Sequence, residues 1–205
     1  MFERVLNEVT ASPETHARWL NTLSLMENTG ARKISASEDP RKVSLEVLKH
    51  AAEEARHALF FKSQLQRLGA LERCSTYEKK SLLAPRLSRR YLDQLEVQIC
   101  KHLKQCLKLS GASLRYAAYL LITYAIEKRA EAIYPLYQRI LEEKQIPISL
   151  KTIVQEEAGH LNEMTAMMKD LFGANWSTLA AESQRLEMAL FERWSKALET
   201  ELQLS

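Results

Sequence analysis

Glycine and proline are scarce in this chain, five of each in 205 residues, against the roughly 7% and 5% usual in globular proteins. A sandwich or barrel needs a turn roughly every 8–12 residues, so that architecture is excluded and a few long helices are expected. Aspartate is scarcer still: Asp39, Asp93 and Asp170 are three of 26 acids, and the rest are glutamate, the better helix former. There are three cysteines, Cys74, Cys100 and Cys106, with no CxxC pair. That excludes a disulfide framework, a zinc ribbon and a rubredoxin-like centre, and an odd count suits a reducing, cytoplasmic setting. No run reaches 18 apolar residues, so no membrane span is expected. Residues 1–10 carry Glu3 and Glu8 and do not read as a secretory leader. A net charge of +3 with a pI near 8.7 is too mild for a nucleic-acid surface. What remains is one all-α domain over residues 1–205, with 46% hydrophobic residues to build a core.

The few breakers divide the chain. Ser12-Pro13-Glu14 reads as an N-cap, a first-position proline and a first-turn acid, opening a helix to about residue 36. Asp39-Pro40 opens a second, closed by Gly69; a polar connection runs to Pro85; a third helix of residues 86–110 ends near Gly111. Helices over about 112–144, 149–172 and 177–203 follow, with Pro147 and Gly173 between them. The helices at 14–36, 40–69, 112–144 and 149–172 form a four-helix core, and the other two are accessory. Gly30, Gly159 and Pro135 fall inside helices, where glycine costs about 1 kcal/mol relative to alanine and proline kinks the chain.

Charge falls on the wrong face of these helices. The apolar stripes read Leu20-Leu23-Glu27-Gly30-Ile34, Val43-Val47-His50-Glu54-His57-Phe61, Leu120-Glu127-Tyr134-Leu141 and Leu150-Ile153-Glu157-His160-Met164-Met167-Leu171. Each core helix thus carries one glutamate on its inward seam, and two add a histidine one turn later. A lone buried carboxylate costs several kcal/mol or becomes neutral, and four converging carboxylates require positive charge among them. Two divalent cations balance four glutamates. Glu27 and Glu54 are 27 residues apart, Glu127 and Glu157 30 apart, each enough to finish a long helix, turn and return to the same height. With 23 glutamates, a Glu-x-x-His pattern arises by chance for about one histidine in ten. The matched seam glutamates are what favour a dinuclear metal centre over a metal-free bundle of paired acids.

At these residues the chain resembles the ferritin-like di-iron carboxylate superfamily. Glu54-Ala-Arg-His57 and Glu157-Ala-Gly-His160 look like its two Glu-x-x-His motifs, Glu27 and Glu127 like its lone glutamates, and residues 70–111 like its crossover. Two such motifs are closer to the rubrerythrin and oxygenase branches than to iron-storage ferritins. Glu127-x-x-Ala-x-x-x-Tyr134-x-x-Tyr137 and His160-Leu-Asn are similar to stretches of the aldehyde-deformylating oxygenases, without a match in the crossover or the C-terminal part. A tRNA-hydroxylase-like member is the other relative to consider. The resemblance implies two iron ions per chain, with manganese as the other candidate. Glu54 and Glu157 would bridge, His57 and His160 would bind one ion each, and Glu27 and Glu127 would be terminal. It implies an oxidoreductase using O₂ or peroxide, an oxygenase or hydroxylase acting on a small or carrier-bound organic substrate. Without CxxC pairs, electrons come from an external donor. Peroxide reduction or ferrous-iron oxidation is the alternative within the superfamily, a non-catalytic helical binding protein the alternative outside it, and a homodimer is left open.

Neighbouring residues carry weaker expectations. Glu131, one turn after Glu127, competes with it as ligand, but Glu127 lies on the seam. His50 reads as a core histidine in preference to a pocket residue, and Glu53 and Glu156 as solvated or ion-paired acids pointing elsewhere. Tyr124, Tyr134 and Tyr137 read as packing near the centre. Gly30 and a kink at Pro135 are expected to open a pocket beside it. The Lys101, His102, Lys104, Lys108 cluster reads as a solvated face, with a carrier-protein or RNA docking site as its alternative, and Met164, Met167 and Met168 as flexible core filling.

Overall fold

A computed structural model describes residues 2–38 and 41–204 and contains seven α-helices, with no strand among the described residues. Ser12 caps the second helix as expected: its hydroxyl accepts from the Thr15 amide at 3.1 Å and Pro13 follows, giving α2 at Pro13–Ser37. Ser44 caps α3 (Leu45–Arg67), accepting from the Val47 amide at 3.2 Å; the expected start at Asp39-Pro40 lies outside the described residues. Gly69 and Gly173 take φ of +63° and +54° where helices end. Gly111 does not close α4 (Pro85–Leu107): Lys108 takes that left-handed turn, at φ +55°, and Gly111 is the first residue of α5 (Gly111–Glu143). The set is completed by α6 (Lys151–Phe172), α7 (Trp176–Glu201) and α1 (Phe2–Val9).

Helix α1 goes beyond the elements that the sequence pattern predicts. Eight residues are too few for a periodic pattern to stand out, and packing holds them helical: Val5, Leu6 and Val9 are fully buried, and the Phe2 ring lies 4.9 Å from Phe191. The stretch 70–84 is likewise no loose polar connection. Cys74, Leu82 and Leu83 are buried, Asn21 Nδ2 donates to the carbonyls of Thr76 and Ser81 at 2.9 and 2.8 Å, and Lys62 Nζ donates to the Cys74 carbonyl at 2.6 Å.

Four helices form the bundle. α2 packs along α3 and α5 along α6. Contacts of falling against rising residue number (Asn21 with Lys62, Glu127 with His160, Lys49 with Glu163, Glu27 with Tyr134) make each neighbouring pair antiparallel. α3 and α5 therefore run the same way, and α4 makes the return between them. α4 and α7 pack on each other and cover the α2–α5 side, where Trp19 and Trp194 stack at 5.7 Å. The opposite seam, α3 against α6, is closed by charge: Lys49–Glu163 at 2.9 Å and Arg56–Glu156 at 2.7 Å.

Candidate metal centre

The spacing His50, Glu54, His57 places three side chains one turn apart on the inward face of α3, and Glu157 and His160 do the same on α6. Glu27 from α2 and Glu127 from α5 complete the ring. All seven are at least nine-tenths buried. All six expected ligands, Glu27, Glu54, His57, Glu127, Glu157 and His160, converge, and His50 joins them. Donor atoms of His50, Glu54, Glu127 and His160 lie within 4.8 Å of one another, and so do those of Glu27, Glu54, His57 and Glu157. Glu54 Oε1 sits at the middle: 3.7 Å from His50 Nε2, 3.7 Å from His57 Nδ1 and 3.8 Å from His160 Nδ1. His57 Nδ1 and His160 Nδ1 each approach Glu157 at 3.2 Å.

Four of these atoms, His50 Nε2, His57 Nδ1, Glu54 Oε1 and Glu127 Oε2, are buried without a hydrogen-bond partner. Buried polar atoms are normally satisfied, so bare nitrogens and oxygens pointing at one another mark a place shaped for something between them. A set of carboxylate oxygens and imidazole nitrogens without thiolate suits divalent iron, manganese or zinc. The residues fit a metal.

The electrostatics agree. Burial, then Glu54 and Glu157, push the Glu27 carboxyl well above the usual range; burial and Glu127 push Glu157 up. Burial pushes Glu127 the same way, but contacts with Glu157, His160 and His50 outweigh it and hold it below its ordinary value. Burial also lowers the three histidines, and the surrounding glutamates overcome it, raising His50 and His57 to about 9 and His160 to about 11.

Outside this ring stands a second one. Glu156 accepts from His57 Nε2 at 2.8 Å and Glu53 accepts from His160 Nε2 at 2.8 Å. This corrects the expectation that Glu53 and Glu156 point elsewhere: each reaches across the α3–α6 seam to the other helix's histidine, fixing its ring as carboxylates behind metal-bound histidines do. A signal for it exists in the chain, where both motifs are extended to Glu-Glu-x-x-His, residues 53–57 and 156–160. His50 is not the plain core histidine expected, because a histidine one turn before a motif has no partner visible in sequence; its Nδ1 lies 3.0 Å from the Tyr119 hydroxyl.

Glu131 is exposed and pairs with Lys128, whereas Glu127 is buried among the other acids. The Tyr134 hydroxyl donates to Glu27, so this tyrosine touches the centre, whereas Tyr137 pairs with His16 at 2.6 Å and Tyr124 is half-buried in apolar packing. Met164 and Met168 are core, Met167 half-buried beside it, and Lys101, Lys104 and Lys108 are exposed with His102 half-exposed. A cavity of about 530 Å³ lies between α2, α4, α5 and α7. Its walls include Leu23, Leu92, Ile122 and Ile126, and its inner end is made by Glu27, Glu54 and Glu127. Gly30 lines it; a Cβ there would meet Glu54 Oε2 at 3.4 Å. Pro135 lies on the exposed face of an uninterrupted α5, so the pocket does not depend on a kink there.

Fold and site together define an all-helical bundle with buried His/Glu groups that can hold metal ions, and no described helix is long and apolar enough to cross a membrane. Compared with protein-family models, with curated proteins and with solved structures, the chain matches none.

Proposed function

We propose that the chain is a ferritin-like di-iron (or manganese/iron) carboxylate oxidoreductase that uses O₂ or peroxide to oxidise an organic substrate. Support for the family comes from order and direction: Glu, Glu-x-x-His, a long return through α4, then Glu and Glu-x-x-His again, on four antiparallel neighbours. The observation that favours an oxygenase over iron oxidation is the cavity: Lys33, Asp93, Glu96 and Arg115 are among its lining, but most of its wall is apolar, and Glu27, Glu54 and Glu127 line it as well. A pocket of that size with mostly apolar walls takes an organic molecule.

The bound metal pair would supply the two-electron exchange with the oxidant. The chain's own residues do the rest. His57 and His160, held by Glu156 and Glu53, lie on the α3–α6 side, while Glu27, Glu54 and Glu127 line the cavity, so ligand exchange would take place on the substrate side. Tyr134 donates to Glu27 through its hydroxyl and so orients that carboxylate. Leu23, Ile122 and Ile126 exclude water. A hydroxylation balances as R–H + O₂ + two electrons + two protons giving R–OH + H₂O, with the electrons from a separate reductase.

Metal content after anaerobic ferrous loading, followed by the optical spectrum on admitting O₂, tests this. About two ions per chain and an O₂-dependent absorption change are expected, both lost in His57→Ala/His160→Ala. A chain that stays metal-free and is unaffected by that double substitution overturns the reading.

A further inference from the structure

The geometry at His50 goes beyond the six ligands that the two motifs and two lone glutamates imply. His50 Nε2 is buried, has no hydrogen-bond partner, and lies 3.3 Å from Glu127 Oε1 and 3.7 Å from Glu54 Oε1. Its other nitrogen is taken by the Tyr119 hydroxyl at 3.0 Å, and its ring stands 4.3 Å from that of His160. An imidazole secured from behind and bare towards carboxylates is how a metal-binding histidine is held.

The seven side chains also divide unequally. One group is His50, His160, Glu54 and Glu127; the other is Glu27, Glu54, His57 and Glu157. Glu54 belongs to both. The first position then has two imidazoles and Glu127, the second one imidazole and Glu27, with Glu54 shared and Glu157 reaching both, 3.2 Å from His57 Nδ1 and from His160 Nδ1. Their outer partners differ too, since His57 and His160 are backed by carboxylates and His50 by a neutral phenol. A carboxylate backing raises the basicity of the imidazole more than a phenol does.

We propose that His50 is a seventh metal ligand and that the two metal positions are chemically unlike, one nitrogen-rich and one carboxylate-rich, so that they fill in sequence. This rests on the dinuclear reading above. Manganese(II), a hard ion that prefers oxygen donors, enters the carboxylate-rich position first, and the second ion depends on His50. Tyr119 is a positioning residue: its hydroxyl holds the His50 ring from behind.

Titration of manganese(II) into the metal-free full-length chain, followed by electron paramagnetic resonance, separates the two steps. In the wild type the first equivalent gives an isolated-ion spectrum and the second converts it to that of a spin-coupled pair. In His50→Ala the first step persists within about twofold and the second weakens by at least about tenfold. In Tyr119→Phe, which keeps the imidazole but frees its ring, the second step alone weakens, by about 10–100-fold, the range for outer partners of metal ligands. Two ions at wild-type affinity in both variants, or equal weakening of both steps in Tyr119→Phe, overturns the proposal. If His50→Ala fails to fold, Tyr119→Phe decides. Failure of the wild type to bind any manganese or iron falls on the dinuclear reading itself. A wild type that binds two ions, with variants that bind them equally well, falls on the role of His50 alone.

Discussion

Two clusters of buried charge lie in this bundle and are built in opposite ways. On the covering side, Glu187 of α7 is 3% exposed, and Arg129 of α5 grips both its oxygens, at 2.9 and 2.7 Å. Tyr91 of α4 donates to the same carboxylate, and the guanidinium lies 3.7 Å over the Phe191 ring. Every charge there has its counter-charge, supplied by the chain. At the metal centre four glutamates and three histidines are as deeply buried, yet four donor atoms are left bare and the chain places no lysine or arginine among them. A complete cluster fixes how α4, α5 and α7 pack. An incomplete one leaves room that ions could fill.

The largest expected effect tests that contrast directly. Arg129→Met leaves Glu187 buried without its partner and should destabilise the protein by about 3 kcal/mol, the scale for stripping one member from a buried pair. Glu27→Gln removes a charge of the same depth from the metal centre. Burial and the neighbouring carboxylates already push the Glu27 carboxyl well up, so the metal-free protein should be no less stable without it. Guanidinium denaturation of both variants, metal-free and near pH 7, checks the pair. Equal losses would mean that the metal centre is held together by its own charges, and the contrast would break.

A smaller effect comes with pH. His50 and His57 have folded-state values of about 9 against an ordinary 6.5. The folded metal-free chain therefore binds more protons than the unfolded one, and their contribution is complete below about pH 6.5 and is lost as pH rises towards 9. A progressive loss of stability is expected over that window, continuing above it as His160 deprotonates. Divalent metal should abolish the decline, since it takes the place of those protons and binds better as the imidazoles deprotonate. His16 works the other way. Burial, then Lys144, lowers it to about 4, so its contribution is present above pH 6.5 and is lost as pH falls towards 4. Thermal melts from pH 4 to 9, with and without manganese(II), should show an optimum near neutrality whose alkaline side alone responds to metal. Decline on both sides unaffected by metal would count against a protonic stand-in at the centre.

Much of the fold and of the centre is legible in the amino-acid sequence, for reasons particular to each residue. The four seam glutamates stand out because a glutamate on an apolar stripe is costly, and the stripe itself reports which way it faces. Glu127 is separable from Glu131 on that ground alone. His57 and His160 follow from their one-turn spacing to Glu54 and Glu157. The second ring leaves a trace in the doubled Glu-Glu-x-x-His motifs, but its partners do not show, because Glu53 and Glu156 pair with histidines about a hundred residues away and only the pairing of α3 with α6 brings them together. His50 is hidden for the same reason, its partners Tyr119 and Glu127 being on α5. Helix α1 is too short to show a period, and residues 70–84 look polar because most of their side chains are exposed, while what ties them to α2 and α3 is backbone carbonyls accepting from Asn21 and Lys62, which side-chain pattern does not report.

The two glycines inside helices give the smallest and most discriminating test. Both break the same propensity rule, yet a Cβ on Gly159 meets nothing within 4 Å on an exposed face of α6, whereas one on Gly30 meets Glu54 Oε2 at 3.4 Å. Gly159→Ala should therefore stabilise the protein by about 0.5–1 kcal/mol, the full helical advantage of alanine over glycine, with metal content unchanged. Gly30→Leu extends a side chain into the cavity beside Glu54. It should leave two metal ions per chain while slowing decay of the oxidised centre by added organic substrates, measured by stopped-flow absorption. Loss of metal together with loss of that reaction would show that Gly30 only relieves crowding around Glu54. Retention of both would show that the cavity near Gly30 is not the route by which the substrate reaches the carboxylates.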